Sequence, residues 1–410
     1  MTAIAMGTAM FTVVIMALVA ILLWARAKLV PSGLVSIVIN HDSTKALKVS
    51  PGETLLTTLT EKNLLIPSAC GGKGTCGLCK VTVETGGGDI LPVERSHLTR
   101  REAEHGTRLA CQLKVKGDLE LAVPPELFDL RRWRAKVISN VSVADFIKEM
   151  VVELPAGLEV PYKAGQYVQF RCPPHTVYYK DFEIPERFRK SWDRDNLWRY
   201  KSVCVDPIER AYSMASHPLE KGVLKFDIKV APPPYGSPAG TPPGIMSSWL
   251  FSLKPGDEIE MSGPFGEFVA NETDAEMIFI GGGAGMGPLR SIIRDQLDRL
   301  RTPRRISYWY RAHSLRDALY QDEFEKLAAE RDNFSWHLCL SKPEPEDNWT
   351  GFAGYVHDFI YRTYLKDHPA PEDCEYYLCG PTQLSLMVLR LLDDLGVQKD
   401  SIFYDNFAGE

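Results

Sequence analysis

The chain carries little net charge and no excess of positive charge. Its 410 residues include 47 Lys and Arg against 53 Asp and Glu, which gives a formal net charge of −6. Because nucleic-acid binding depends on clustered basic residues, this composition gives no electrostatic reason to expect a nucleic-acid partner. The sequence also lacks internal repeats and a low-complexity tail. Its length is enough for two or three domains.

Cysteine is too sparse and irregular for a disulfide scaffold. There are nine cysteines, an odd number, spread over a long chain. Small disulfide-stabilised proteins carry dense and usually even sets of cysteines. We therefore expect a reducing compartment, in which the cysteines bind metal or are simply buried.

The first 25 residues contain no charged side chain, and AMFTVVIMALVAILLWA is an unbroken apolar run. A cleaved signal peptide would have positive charge before the run and small residues at a cleavage site after it. A buried core helix would show a polar stripe. Here Arg26 and Lys28 follow the run, so we predict an uncleaved membrane anchor over residues 1–30, with the remaining chain in the cytoplasm.

A short loop combines three cysteines with four glycines: CGGKGTCGLC, from Cys70 through Cys76 to Cys79. Zinc sites favour two C-x2-C pairs, and this region has only one. A [2Fe–2S] cluster instead needs four thiolates, three from one loop and one from a distant strand, and Cys111 supplies the fourth. Glycine permits the tight turns and the close approach of backbone N–H groups to the cluster. The alternative, four cysteines buried by chance, is a poor one, because free buried cysteines do not cluster inside glycine-rich loops.

The segments PSACGGKGTCGLCKV and HGTRLACQ resemble the [2Fe–2S] ferredoxin domain, which implies that these four cysteines are the cluster ligands. The first spacing is C-x5-C where the plant-type family has C-x4-C. The other five cysteines lie outside this domain and are not candidates for cluster ligands.

After residue 128, short β segments punctuated by Pro and Gly indicate a small barrel. Within it, RAYSMAS resembles the flavin motif of the ferredoxin–NADP reductase family. The resemblance implies that Arg210 neutralises the flavin pyrophosphate, Tyr212 lies on the isoalloxazine and Ser213 bonds near its reactive edge. An Arg and a Tyr two positions apart can also mark only an exposed strand face. In GIMSSWL, Gly244 and Ser247 match the family's second phosphate-binding turn, at a helix N-terminus.

From about residue 271, strands and helices alternate, which predicts a parallel sheet. The turn GGGAGMGP follows the apolar strand MIFI and precedes a helix, so we interpret it as a pyrophosphate loop for a nicotinamide dinucleotide. Its candidate residues are Gly281, Gly282, Gly283 and Gly285.

Two further features of this region resemble the reductase family. The segment YYLCGP matches its C-G-P signature, which implies that Cys379 lies beside the nicotinamide and the flavin N5, followed by Gly380 and Pro381. The C-terminal Phe407 falls where the family places an aromatic ring over the flavin, although a merely packed terminal Phe fits equally. Arg311 and Ser314 could bind a 2′-phosphate, yet LRDALYQDEF is similar to the NADH-using relatives, so we predict NADH.

The order of parts predicts an anchor (1–30), a β-grasp ferredoxin domain (31–128), an antiparallel FAD barrel (129–270) and a Rossmann-like NADH domain (271–410). The whole chain resembles the F subunits of sodium-translocating NADH:quinone reductases. That resemblance implies a respiratory subunit in a bacterial inner membrane, through which NADH electrons pass by FAD and one [2Fe–2S] cluster to membrane subunits that reduce quinone and pump sodium. With a single span lacking ionisable residues, this chain would not itself conduct sodium. The alternative is the reductase component of a bacterial oxygenase, which shares these domains but is normally soluble.

The segment between Cys172 and Arg210 fits no cofactor motif. It contains YYKDFEIPERFRKSWDRDNLWRYKSV, in which aromatic residues alternate with Arg and Lys, a mixture enriched at protein interfaces. We predict that this insertion docks the cytoplasmic part onto membrane partners. The alternative is a self-packed loop that shields the flavin. The aromatic residues concerned are Tyr178, Tyr179, Phe188, Trp192 and Trp198.

Overall fold

The computed structural model describes residues 2–29, 33–128, 130–238 and 240–405. Its contacts divide the chain into two units. The first unit consists of Met1–Ser68 and Gly72–Leu130, and the second of Ala69–Gly71 and Arg131–Glu410. The predicted flavin-covering residue Phe407 lies outside the described residues.

The chain begins with a long helix, α1 (Thr2–Leu29), on which large apolar side chains such as Phe11 and Ile21 are exposed. Within the part of the chain that the structure describes, no helix combines the length and the apolar character needed to cross a membrane. The predicted transmembrane anchor is therefore not shown and stays a prediction.

The first unit contains a five-stranded mixed sheet in the order β2-β1-β5-β3-β4. Strands β1 and β5 run parallel, and the other pairs are antiparallel. Leu55 and Leu59 on the helix α2 pack with Ile37 and Leu121 of the sheet in one buried cluster, as predicted for a ferredoxin-type fold. The elements are β1 (Val35–Ile39), β2 (Asp42–Val49), α2 (Leu55–Glu61), β3 (Lys80–Thr85), α3 (Pro92–Arg95), α4 (Arg100–Glu104), β4 (Thr107–Leu109) and β5 (Leu119–Ala122).

The second unit begins with a six-stranded antiparallel sheet, in the order β11-β8-β13-β6-β7-β12. Phe170 on β8 and Phe226 on β12 are separated by three intervening strands, yet their ring centroids lie 4.8 Å apart. The sheet must therefore curl around its core, as predicted for a barrel. Its strands are β6 (Arg131–Ala144), β7 (Ile147–Glu153), β8 (Tyr167–Cys172), β11 (Ile208–Ser213), β12 (Val223–Lys229) and β13 (Glu258–Phe265), and α6 (Ile245–Ser252) packs beside them.

The insertion between β8 and β11 has its own regular structure. It forms an antiparallel hairpin of β9 (His175–Tyr178) and β10 (Lys201–Cys204), with the helix α5 (Glu186–Arg194) between the two strands. Cys204 lies opposite His175 in the hairpin register.

A five-stranded parallel sheet, in the order β16-β15-β14-β17-β18, completes the second unit. The apolar run at the start of β14 is buried on both faces, as expected for a central parallel strand covered by helices. This confirms the predicted βαβ alternation. The elements are β14 (Met277–Gly282), α7 (Met286–Arg294), β15 (Ile306–Ala312), α8 (Gln321–Glu330), β16 (Phe334–Leu340), α9 (Val356–Thr363), β17 (Glu375–Cys379), α10 (Thr382–Asp394) and β18 (Ile402–Asp405).

Candidate functional site

The four cysteines predicted to bind iron are sheltered from solvent. Cys70, Cys79 and Cys111 are buried, and Cys76 is half-buried. The thiols of Cys79 and Cys111 are hydrogen-bonded to each other, and this contact and burial raise the pKa of the Cys79 thiol. A pair of buried thiols resists ionisation by itself, whereas bound iron stabilises the thiolates. The donor set therefore fits a metal cluster.

The glycines of the loop have conformations that other residues rarely adopt. Gly74 has a φ of 77°, and a Cβ atom there would lie 2.6 Å from the Gln112 side chain. The amide nitrogen of Gln112 in turn lies 3.4 Å from the Cys111 sulfur. The loop thus folds back closely onto the segment that carries Cys111, which requires glycine at this position.

The predicted flavin residues alternate along β11. Arg210 pairs with Phe170 in the antiparallel register, and the ring of Tyr212 lies 5.5 Å from that of Phe170. Burial lowers the pKa of Arg210. Among the described residues no carboxylate forms an ion pair with Arg210, whose guanidinium donates to the carbonyl of Glu209. A half-buried cation without a carboxylate fits an anionic ligand such as a pyrophosphate.

The second predicted phosphate turn begins α6. Gly244 is the N-cap of this helix, and a Cβ atom there would lie 2.7 Å from the Ser247 hydroxyl oxygen and 3.0 Å from the Ala231 Cβ. Only glycine fits this turn without movement of its neighbours. The exposed N–H groups of a helix N-terminus suit an anion.

The glycine-rich turn and the C-G-P turn pack against each other at the carboxyl ends of β14 and β17. Gly281 pairs with Cys379 in the parallel register. A Cβ atom on Gly285 would lie 2.2 Å from the Cys379 carbonyl oxygen, and one on Gly380 would lie 3.1 Å from the Gly282 nitrogen. The remaining two predicted residues adjoin them, Gly283 in the turn before α7 with a φ of 58° and Pro381 as the N-cap of α10. The carboxyl edge of a parallel sheet is where such folds bind ligands.

The strands β11 and β17, which carry residues predicted to bind the flavin and the nicotinamide, both adjoin Asp405. The hydroxyl of Ser213 donates to Oδ2 of Asp405 at 2.9 Å, and Asp405 is the parallel-strand partner of Cys379. Burial raises the pKa of the Asp405 carboxyl, and burial together with the Asp405 charge raises the pKa of the Cys379 thiol. The structure therefore brings together two residues predicted from separate motifs. Sequence reasoning missed Asp405, although its position two residues before Phe407 was a signal.

Two further residues join the barrel to the parallel sheet, and sequence reasoning missed them as well. Arg290 donates to the carbonyl of Ala215 at 2.7 Å, and Ser291 donates to that of Ser216 at 2.6 Å. Both lie on α7, directly after the glycine-rich turn. Arg290 also pairs with Glu323 at 3.0 Å. These bonds hold the segment that follows β11 against α7.

The two residues considered for a 2′-phosphate are already engaged. Ser314 is buried, and its hydroxyl donates to Oδ2 of Asp317 at 3.1 Å. Arg311 donates to the hydroxyl of Ser341 at 2.7 Å. A carboxylate beside Ser314 disfavours a second anion there.

The interface prediction for the insertion is wrong for three of the five aromatic residues that it named. Tyr179, Phe188 and Trp192 are 0%, 2% and 1% exposed and belong to the core of the barrel. The hydroxyl of Tyr179 bonds to Ser248 of α6 at 2.9 Å. Core aromatics and interface aromatics have the same composition, and only the fold distinguishes them. Tyr178 is exposed and Trp198 is half-buried.

Family models match three successive segments of the chain. A 2Fe-2S iron-sulfur cluster binding domain matches residues 38–116, an oxidoreductase FAD-binding domain matches 199–269, and an oxidoreductase NAD-binding domain matches 279–389. The first range contains all four predicted cluster cysteines. The predicted cofactors, a [2Fe–2S] cluster, FAD and NADH, are thereby confirmed.

Two solved structures share the fold. The Amycolatopsis cytochrome P450 reductase has a TM-score of 0.62 at 24% identity, covering 91% of this chain and 98% of that one. The ferredoxin reductase in carbazole 1,9a-dioxygenase has a TM-score of 0.60 at 21% identity with the same coverage. At these identities the likeness shows the fold and not the activity.

Curated relatives match almost the whole chain at much higher identity. The F subunit of the Na(+)-translocating NADH-quinone reductase of Pseudomonas paraeruginosa is 55% identical over 400 residues, which are 98% of this chain and 97% of that protein. The F subunit of the Haemophilus influenzae enzyme is 53% identical over 405 residues, 99% of this chain and 98% of that protein. The F subunit of the Klebsiella pneumoniae enzyme is 52% identical over 404 residues, 98% of this chain and 99% of that protein. The chain therefore belongs to the family of Na(+)-translocating NADH-quinone reductase F subunits.

Proposed function

We propose that this chain oxidises NADH and delivers its electrons to the membrane subunits of a sodium-translocating quinone reductase. The observation that carries the proposal is the meeting of Ser213, Asp405 and Cys379. Ser213 ends β11 of the barrel, and Cys379 and Asp405 end β17 and β18 of the parallel sheet, so the predicted flavin and nicotinamide residues lie close together. When bound, FAD takes two electrons as hydride from NADH and releases them singly to an iron–sulfur cluster.

The residues of the barrel would hold and orient the flavin. The half-buried Arg210 guanidinium and the N-terminus of α6, at Gly244 and Ser247, would bind the pyrophosphate. Tyr212 would pack on the isoalloxazine. Ser213, held by its bond to Asp405, would present its hydroxyl at the reactive edge.

The nucleotide turns would bring the dinucleotide to the same place. The close contact between Gly285 and the Cys379 carbonyl leaves no room for side chains, so the backbone can approach the pyrophosphate. Cys379, followed by Gly380 and Pro381, would lie beside the nicotinamide. We propose NADH over NADPH as substrate, because Ser314 is bonded to Asp317 and Arg311 to Ser341. A kcat/KM for NADPH comparable to that for NADH would contradict this preference.

In the ferredoxin unit, Cys70, Cys76, Cys79 and Cys111 would hold one [2Fe–2S] cluster. Of the domain boundaries predicted above, those at residues 128 and 270 stay part of this proposal. The terminal Phe407 stays a prediction as the ring that covers the flavin.

We further propose that residues 1–30 anchor the chain in the bacterial inner membrane by one span, with the cofactor domains in the cytoplasm. Support comes from the uncharged first 25 residues, from the following Arg26 and Lys28, and from the exposed apolar side chains of α1. The full chain should stay with the membranes during an alkaline carbonate wash, and a variant lacking residues 2–29 should be released. A full-length chain extracted by carbonate alone would refute the anchor.

The NADH site is tested by two buried cysteines on different strands of one sheet. Cys379→Ala should slow NADH oxidation with ferricyanide as acceptor by about 10-fold or more, which corresponds to ~1.4 kcal/mol of activation free energy. Cys339→Ala removes an equally buried thiol from β16 and should leave turnover near that of the parent. Flavin content, measured by absorbance after denaturation, must be equal in both variants. Equal rates in the two variants would contradict the assignment of Cys379.

A further inference from the structure

Three potential metal ligands converge outside the cofactor sites described above. Cys172 ends β8, His175 begins β9 and Cys204 ends β10. One ligand atom from each residue lies within 4.8 Å of the others. Cys172 is 0% exposed and Cys204 is 4% exposed. None of the three belongs to the cluster set or to the flavin and nucleotide motifs.

The separations suit tetrahedral coordination. A zinc ion with Zn–S bonds of about 2.3 Å and Zn–N bonds of about 2.0 Å places its ligand atoms roughly 3.5–3.8 Å apart. The ring of His175 adjoins the thiols, with Nδ1 3.2 Å from the Cys172 sulfur, and the Cys172 and Cys204 thiols are hydrogen-bonded to each other. Because one ligand atom of each residue lies within 4.8 Å of the others, shifts of up to about 1 Å would bring the three to coordination distance. Two thiolates and one imidazole are a ligand set typical of zinc.

The imidazole of His175 is held in place by its neighbours, and one of its two ring nitrogens has no hydrogen-bond partner among the described residues. Nδ1 lies 3.0 Å from the carbonyl oxygen of Pro173, and the ring stacks on Trp249 at 6.4 Å between centroids. The other ring nitrogen, Nε2, is buried and has no hydrogen-bond partner among the described residues. Metal-binding histidines commonly donate one N–H to a backbone carbonyl while the other nitrogen binds. A buried nitrogen without a partner is costly unless something coordinates it.

Buried cysteines often serve only as small apolar side chains, and Cys339 is of that kind. The cysteines of this cluster differ, because each sulfur also has polar neighbours. Cys204 donates to the carbonyl of Asp206 at 3.0 Å, and Cys172 contacts His175.

We propose that Cys172, His175 and Cys204 bind one zinc ion, with a solvent molecule in the fourth position. Binding releases the protons of the two thiols and leaves both cysteines as thiolates. Because Cys172 and Cys204 flank the insertion, the ion would tie both ends of that segment to the barrel strand β8. Zinc neither gains nor loses electrons, so the ion would take no part in electron transfer.

Elemental analysis of the full chain, purified with its flavin and iron, tests the proposal. Zinc and iron per chain are measured for the parent, for Cys172→Ala, for Cys204→Ala and for Cys339→Ala as the matched buried-cysteine control. We expect one zinc per chain in the parent and in the Cys339 variant, and loss of that zinc in the other two. Iron content should not change, which separates this site from the cluster.

Cobalt substitution gives a second measurement, whose main result comes from the parent protein. After zinc is removed with a chelator, bound Co²⁺ should show thiolate-to-cobalt charge-transfer absorption, and His175→Gln should weaken it. Absence of both zinc and cobalt binding in the parent would overturn the proposal. So would zinc retained in both cysteine variants, or a Cys172–Cys204 disulfide found by mass spectrometry of the alkylated protein.

Discussion

The cysteine loop at 70–79, between α2 and β3, and the insertion at 173–205, between β8 and β11, are built in opposite ways. The loop, all of which the structure describes, contains no helix or strand before Lys80, and it turns at glycines with positive φ. The insertion folds into a hairpin and a helix, and it places large aromatic rings in the barrel core. The path of the loop is determined by backbone freedom and ligand donors, and that of the insertion by side-chain volume.

The difference predicts different consequences of substitution. In the loop, the loss of one sulfur removes a ligand but little packing, so the ferredoxin domain should stay folded after it has lost the [2Fe–2S] cluster. In the insertion, the loss of one ring removes packing, so the flavin site should fail through the fold. Each variant below separates these two outcomes.

The largest effect is expected at Cys111. Replacing it with Ala leaves a three-ligand cage and exposes the cluster, so the EPR signal of the reduced cluster should disappear. Flavin content and NADH oxidation with ferricyanide should remain near those of the parent. The matched control is Cys339→Ala, which should retain the full signal. A full signal in Cys111→Ala would refute the ligand assignment.

The next effect is expected at Trp192. Its ring packs against Phe182, Trp198 and Phe251 with centroids 5.1–5.8 Å apart. Trp192→Ala should lower the free energy of unfolding of the barrel by about 3–5 kcal/mol and reduce its flavin content. Urea titration followed by flavin fluorescence measures the first quantity, and the cluster EPR signal should not change.

Trp198→Ala provides the comparison, because this half-buried ring should cost clearly less than Trp192. Deleting residues 178–200 should likewise remove flavin, since the deletion takes Tyr179, Phe188 and Trp192 out of the core. Flavin retained by the deletion variant would show that the insertion is dispensable for the barrel.

A smaller effect is expected from glycines of similar φ in different surroundings. Gly77 and Gly88 have φ of 68° and 61°. A Cβ atom on Gly77 would lie 2.9 Å from the His97 side chain, whereas one on Gly88 would meet nothing within 4 Å. Gly88→Ala should therefore cost only the backbone term, about 1 kcal/mol. Gly77→Ala should cost up to about 3 kcal/mol. Cluster absorbance during urea unfolding measures both, and equal costs would show that His97 moves aside freely.

The sequence was sufficient where chemistry restricts spacing. The structure brings the cysteines of the loop close to Cys111 and the glycine-rich turn close to the C-G-P turn, as expected if ligands and pyrophosphates need particular atoms at short range, and the roles of these residues stay predictions. The sequence was insufficient for residues such as Asp405, Arg290 and Ser291, whose partners are distant along the chain. The aromatics of the insertion were misinterpreted because burial depends on which strands curl around them. The cluster of Cys172, His175 and Cys204 is invisible for the same reason, since it is assembled from three separate strands.

The smallest effect on stability is expected at Tyr178. Variants of this residue test whether the insertion docks onto membrane partners. Tyr178 is 43% exposed, and its ring contacts the Lys180 ammonium at 5.3 Å. Such an exposed cation–π contact contributes about 0.5 kcal/mol, so Tyr178→Ala should change the free energy of unfolding of the barrel by no more than that. NADH oxidation with ferricyanide should be unchanged. If exposed side chains of the insertion dock onto membrane partners, quinone reduction by the assembled complex should fall, and more steeply at high salt when Lys180→Ala is added. Unchanged quinone reduction in the double variant would leave the insertion as part of the barrel core and would refute docking through this face.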